Sequence, residues 1–140
     1  MPDGRRTRLW LALFVSVIAN AAVFAAEEPT TDSLEVVKQK LSDRKAALVD
    51  VREKKEWTEE HLQAAQLLPL SELKRLAGDP AAHADLEKKL PKSRIVYCHC
   101  ASGIRSLRAA EILRKLGYDA RPLKQSYDDL RQAGFTAAAK

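Results

Sequence analysis

The stretch Arg94–Ser106, RIVYCHCASGIRS, most constrains what this chain can fold into. Arg94–Cys100 is rich in β-branched, aromatic and sulfur side chains, the composition of a buried strand. Ala101-Ser102-Gly103 then offers small residues and a glycine for a tight turn. Ala109, Ile112, Leu113 and Leu116 repeat at helical spacing as far as Gly117, a residue suited to a left-handed helix stop. A strand that enters a helix through so short a loop belongs to a β–α–β unit, which needs a parallel neighbour.

The rest of the chain supplies that neighbour. Asp32 is placed to cap a helix with Glu35 three residues on, and Leu34, Val37 and Leu41 share one face of it. Ala46–Val51 reads as a buried strand, Glu56–His61 as a turn of helix, and Leu67-Leu68 as a second short strand closed by Pro69. Ser71 opens a short helix to about Leu76. Asp79-Pro80 starts another, carried by Ala82, Leu86 and Leu90 as far as Pro91. Ala120–Leu123 is a weak strand limited by Pro122, and Tyr127–Ala133 a final helix. Strands alternating with helices predict an α/β domain, its parallel sheet covered on both faces, with sites at the carboxyl ends of the strands.

The N-terminus reads as an export signal. Arg5, Arg6 and Arg8 precede the apolar run LWLALFVSVIANAAVFAA, and Val23-Phe24-Ala25 places small residues before a cut after Ala25. Arg5-Arg6 lacks the surroundings of a twin-arginine signal, and an uncleaved anchor is the competing reading because the run approaches spanning length. The expected organisation is therefore a signal peptide over 1–25, a linker over 26–31, one domain over 32–136 and a tail over 137–140. The net charge of +5 over 140 residues falls when Arg5, Arg6, Arg8 and Asp3 leave. No Lys/Arg block is interleaved with aromatics, so no nucleic-acid partner is expected, and membrane contact is expected only if the N-terminal segment stays attached. The runs Lys54-Lys55, Lys88-Lys89 and Arg114-Lys115 read as solvated faces. Periplasmic or secreted placement follows from export.

The loop after the Arg94–Cys100 strand carries the chemistry. Cys100 stands where the strand ends, and Ser106 is placed to cap the next helix. Peptide N–H groups turned inward at a helix N-terminus bind anions and stabilise a thiolate. Such surroundings lower a cysteine pKa from about 8.5 to between roughly 3.5 and 7.5. Arg105 adds a planar, permanently charged fork suited to an oxyanion. Cys100 is thus the expected nucleophile, and no metal or organic cofactor is implied. A buried structural cysteine is the plainer alternative.

These residues resemble the rhodanese-like sulfurtransferase family, whose loop reads Cys-x-x-Gly-x-Arg-Ser. Cys100, Gly103, Arg105 and Ser106 match it in place. A second stretch, LVDVREKKEWTEEHLQAAQLLPLSEL, is similar to the family's Asp-x-Arg segment at Asp50, Arg52, Glu56, Trp57, His61, Leu62, Ala65 and Pro69. The resemblance implies a three-layer domain with a central parallel sheet flanked by helices. It implies that Cys100 accepts a sulfane sulfur as a persulfide, from thiosulfate or a persulfide donor, and passes it to a thiol acceptor. Ala101, Ser102, Gly103, Ile104, Arg105 and Ser106 would bind the substrate, with Asp50, Arg52 and His61 in support. The chain departs from the family pattern at Glu60, Gln63-Ala64 and Gln125-Ser126, and at Ala101, where a cation is common. One cation fewer beside the sulfur weakens binding of a dianion such as thiosulfate. Cysteine-based phosphatases use a similar cradle, but their loop is one residue longer between cysteine and arginine.

A second function class is a module that relays persulfide from a partner protein or simply docks on it. A third is redox sensing through Cys98 and Cys100. Their Cα atoms would lie about 6.6 Å apart along a strand, near the upper limit for a disulfide, so Cys98 reads as a core residue. His61 reads as a structural ring rather than a base, His83 as solvated, and Trp57 as a core anchor.

Overall fold

A computed structural model describes residues 27–139. The expected export segment, 1–25, lies outside the described residues. Four strands form one all-parallel sheet in the order β2-β1-β3-β4: β1 Ala46–Asp50, β2 Ala65–Leu67, β3 Ile95–His99 and β4 Ala120–Pro122. The helices are α1 Leu34–Ser42, α2 Lys54–Glu59, α3 Leu70–Ala77, α4 His83–Lys89, α5 Ile104–Lys115 and α6 Tyr127–Gln132. None of them is long and apolar enough to cross a membrane.

Strand side chains alternate between two cores. On one face Ala47, Val49, Val51, Val96, Cys98 and Cys100 pack with buried residues of α3, α4 and α5. On the other, Ala46, Leu48 and Tyr97 pack with Val37 of α1 and Tyr127 and Leu130 of α6. Burial on both sides explains why β1 and β3 are near-continuous apolar runs. α2 buries no residue and sits beyond the carboxyl end of β1. The result is the three-layer α/β arrangement.

Local details depart from the sequence reading in three places. Ser33, not Asp32, caps α1, its side chain accepting from the Val36 N–H. Asp32 stands one residue too early for that role and instead accepts from the Tyr97 hydroxyl and, at 2.8 Å, from Arg121. The helix expected from Asp79-Pro80 to Pro91 is divided. Pro80–Ala82 forms a 3-10 turn closed by Ala82 N–H to Asp79 O at 3.0 Å, and α4 restarts at His83. His83 is half-buried, with Nε2 donating to Leu76 O at 3.1 Å, so its ring ties α4 to α3 rather than standing in solvent. The third departure concerns the linker, which lies against β4: Thr30 N–H donates to Pro122 O at 2.7 Å, and Glu27 pairs with Arg114. At the other terminus the chain stays tied to the domain through Ala138, whose N–H donates to His61 O at 2.8 Å.

Asp32 anchors this N-terminal strap. Its carboxyl is held below the ordinary value of 3.8, chiefly by the Tyr97 hydroxyl and then by Arg121. A depressed carboxylate pKa contributes stability that is complete above the unfolded value and lost as the pH falls through the folded one. Asp32→Ala is expected to lower stability at neutral pH by about 1–3 kcal/mol, because Tyr97 and Arg121 lose their acceptor. Urea unfolding over a pH series should show the gap to the parent narrowing below pH 3.8.

Candidate active site

β3 ends at His99, and Cys100 follows with its side chain on the α5 face of the sheet. The chain then turns at Gly103, which has φ +91° and is the residue before the first turn of α5. That left-handed conformation aims the Gly103 N–H back at Cys100, where it donates to Sγ at 3.1 Å. The donor is a backbone N–H at the start of a helix, where peptide dipoles point their positive ends.

The loop is clamped from outside. A Cβ on Gly103 would lie 2.9 Å from the Lys124 carbonyl oxygen, so β4's following segment presses directly on the turn. Ala101 O accepts from the Tyr127 N–H at 3.3 Å. Ser106 sits inside the first turn of α5 rather than capping it, because Gly103 already occupies the position before the helix. Its buried hydroxyl lies 2.7 Å from Gly103 O and 3.0 Å from Leu123 O, with both carbonyls as acceptors. It therefore ties the loop to the end of β4 and faces inward. Ser126, one of the departures from the family pattern, caps α6 by accepting from Asp129 N–H. Cys100 has no exposed surface, while Ala101 and Ser102 are exposed and Ile104 is 74% exposed.

Arg105, expected to bind substrate, forms an ion pair. Its two terminal nitrogens each donate at 2.7 Å to the two carboxylate oxygens of Glu56, a bidentate pair spanning α2 and α5. Glu56 Oε2 also accepts the Glu53 N–H at 2.9 Å. Arg105 first, then that backbone donor, hold the Glu56 carboxyl down at about 2 against a burial cost, so it is ionised throughout ordinary pH. Sequence alone named Glu56 only as a motif match. The pairing joins residues 49 positions apart, and only the fold brings them together.

A polar cluster lies at the same end of the sheet on its opposite face. Asp50 accepts from Arg52 through Nε and a terminal nitrogen at 2.8–3.1 Å, both side chains being buried. Arg52 also donates to Glu60 O at 2.7 Å and lies 4.4 Å from the centroid of the Tyr127 ring. His99 is buried beside them, its Nε2 3.6 Å from Asp50, with neither ring nitrogen hydrogen-bonded. Burial pushes its pKa down, so the ring is neutral. His61 stacks on Trp57 at 3.7 Å and donates Nδ1–H to Trp57 O at 2.9 Å. Trp57 is half-buried and forms this stack on the surface instead of anchoring the core, because α2 turns no residue inward.

Cys98 and Cys100 are both free thiols on one face, but they differ in surroundings. Burial pushes the Cys98 thiol up to about 12, making it an inert core side chain. Among the described residues no group of three His, Cys, Asp or Glu side chains converges as a metal site.

Gly103→Ala tests the clamp. A left-handed alanine costs about 1–2 kcal/mol before the encounter with the Lys124 carbonyl is counted. The variant is expected to lose at least about 2 kcal/mol in urea unfolding and to react at Cys100 at a rate changed severalfold.

The comparisons with known proteins agree with this geometry. The rhodanese-like domain model matches residues 33–133. Over 105 residues the chain is 35% identical to the probable adenylyltransferase/sulfurtransferase MoeZ of Mycobacterium tuberculosis, covering 75% of this chain and 25% of that protein. It is 33% identical over 87 residues to the putative sulfur carrier protein YrkF of Bacillus subtilis, covering 61% of this chain and 42% of that one. The chain thus spans less than half the length of these two curated relatives. The solved structure of the human single-domain sulfurtransferase TSTD1 superposes with a TM-score of 0.62 at 31% identity, over 75% of this chain and 96% of that one. With the match running from the cap of the first helix to the end of the last, the chain belongs to the rhodanese-like domain family.

Proposed function

We propose that this chain is an exported sulfurtransferase that carries a sulfane sulfur on Cys100. The observation that carries the reading is the 3.1 Å hydrogen bond from Gly103 N–H to Cys100 Sγ at the start of α5. The N–H is aimed at the sulfur that would act as the nucleophile. Membership of the family and the name of the human neighbour support the same chemistry.

In the forward step the Cys100 thiolate attacks the outer sulfur of the donor. The Sγ–S bond forms, the donor's S–S bond breaks, and the electron pair leaves with the departing thiolate or sulfite. In the return step an acceptor thiolate attacks that outer sulfur and regenerates the Cys100 thiolate. Sulfur moves at an unchanged oxidation level, so no external oxidant or reductant enters. Cys100 has no exposed surface, so each step requires the site to open. The acceptor is a thiol.

Incubation with a sulfane-sulfur donor should add one sulfur atom to the intact mass of the protein and none to Cys100→Ser. An equal gain in that variant overturns the assignment. A second reading, a relay or docking module for a partner protein, is favoured by the sealed thiol beside the exposed Ile104. It predicts negligible turnover with small donors and partner capture that survives Cys100→Ser.

Export is supported by the basic stub and apolar run ahead of Ala25. Protein recovered from the cell envelope or the medium should have the mass of a chain beginning at Ala26. A full-length mass in a membrane fraction would establish the uncleaved anchor instead.

A further inference from the structure

β1 extends beyond its edge neighbour at the amino end of the sheet. β1 has five residues and β2 three, and their register begins with Leu48 opposite Ala65, so no residue of β2 stands beside Ala46 or Ala47. Lys45 O accepts from Ile95 N–H and Val51 N–H donates to His99 O, so the odd-numbered residues along β1 serve β3. Asp50 O accepts from Leu68 N–H, and the even-numbered residues face β2. The N–H and C=O of Ala46 are therefore turned toward a stretch that β2 does not reach. Ahead of β2 the chain is drawn away from β1, where Gln63 N–H donates to Thr136 O at 2.9 Å. A groove of about 290 Å³ lies there, lined by Leu41, Ala46, Ala47 and Ala64.

Two exposed or half-buried arginines, Arg44 and Arg94, also line this groove, and among the described residues neither forms an ion pair. The acid next to Arg44, Asp43, is 4.0 Å from Lys45 and accepts from Gln39 at 2.9 Å. Arg44 has φ 57° and is the one non-glycine residue at positive φ among the described residues. It follows the cap of α1, with Arg44 N–H donating to Leu41 O at 3.1 Å and Lys45 N–H to Lys40 O at 2.9 Å. Glycine is the unstrained choice at that position. An arginine held there at a cost in backbone energy, on the wall of an open groove, points to a use for its side chain.

We propose that this groove is a docking site for an extended acidic segment of a partner protein, which continues the line of β2 along Ala46. The segment's main chain pairs with the Ala46 N–H and C=O, and its carboxylates meet Arg44 and Arg94. Charge selects the occupant: a second copy docking edge to edge would bring the same two cations against themselves, which opposes pairing. The groove lies at the amino end of the sheet and Cys100 just past the carboxyl end of β3, so a docked segment leaves the sulfur uncovered by the partner. The inference goes beyond the sulfur-transfer reading and does not depend on it.

The test titrates the protein with the blocked peptide acetyl-Glu-Val-Glu-Val-Glu-amide and follows backbone amide resonances. Saturable shifts centred on Ala46, Ala47 and Gln66 are expected, weakened by added salt. Arg44→Gln and Arg94→Gln should each weaken binding severalfold, and together by about tenfold. The peptide with glutamine for glutamate should bind the parent as weakly as the acidic peptide binds the double variant. A peptide with every internal amide N-methylated keeps its charge but cannot donate to the edge, and should also lose affinity severalfold. Equal binding of the N-methylated peptide, undiminished binding to the double variant, or shifts gathered elsewhere in the sheet would each overturn the proposal.

Arg44→Gly separates docking from a structural role. Glycine relieves the left-handed backbone, so the urea midpoint should rise while the acidic peptide binds severalfold more weakly. A lowered midpoint or an unchanged affinity overturns the argument from Arg44. If the two arginines only guard an open edge against pairing, the parent ignores the peptide and the double variant self-associates in sedimentation, which overturns the proposal as well.

Discussion

The guanidinium of Arg52 is buried against Asp50 at the carboxyl end of β1, and from there it reaches two further elements. One nitrogen donates to Glu60 O at the end of α2, and the guanidinium carbon lies 4.4 Å from the centroid of the Tyr127 ring at the start of α6. Those two elements are the walls of the cysteine loop. α2 carries Glu56, which holds Arg105, and α6 begins with the N–H that binds Ala101 O. A buried pair of this kind is weak evidence of net stability, since desolvation offsets most of the attraction. Breaking it by removing one partner, however, leaves an uncompensated charge worth about 3–5 kcal/mol. Its consequence here is geometric: the position of both walls depends on one ion pair that has nowhere else to go.

Within those walls the sheet separates two chemically identical thiols. Cys98 and Cys100 point to the same face, two residues apart, as the strand period requires. Cys98 lies within β3, paired in register with Val49 of β1, and burial suppresses its ionisation. Cys100 lies one residue past the strand end, where the backbone is no longer committed to the ladder and a turned amide can reach the sulfur. One residue of displacement along the chain changes a packing group into one with a dedicated donor. Cys100 nevertheless has no exposed surface.

Two arginines near the loop, Arg105 and Arg52, are each matched to a carboxylate. Ala101 brings no cation to the position next to the cysteine.

Much of this was legible in the amino-acid order. β1 and β3 appear as unbroken apolar runs because both faces of a central parallel strand are buried, and α5 appears through Ala109, Ile112 and Leu113 because one helical stripe meets the sheet. Cys100 and Gly103 could be assigned to the turn between them, since a tight reversal into a helix requires small residues and a glycine. Short-range rules failed where a long-range partner outbid the local one. Asp32 left its cap for Tyr97 and Arg121, and Trp57 stacked on His61 instead of entering the core. The order of residues determines periodicity and turn chemistry, which depend on neighbours a few positions away. Which charge meets which, and whether a sulfur is open or covered, depends on groups tens of residues apart, and only the folded sheet sets their distances.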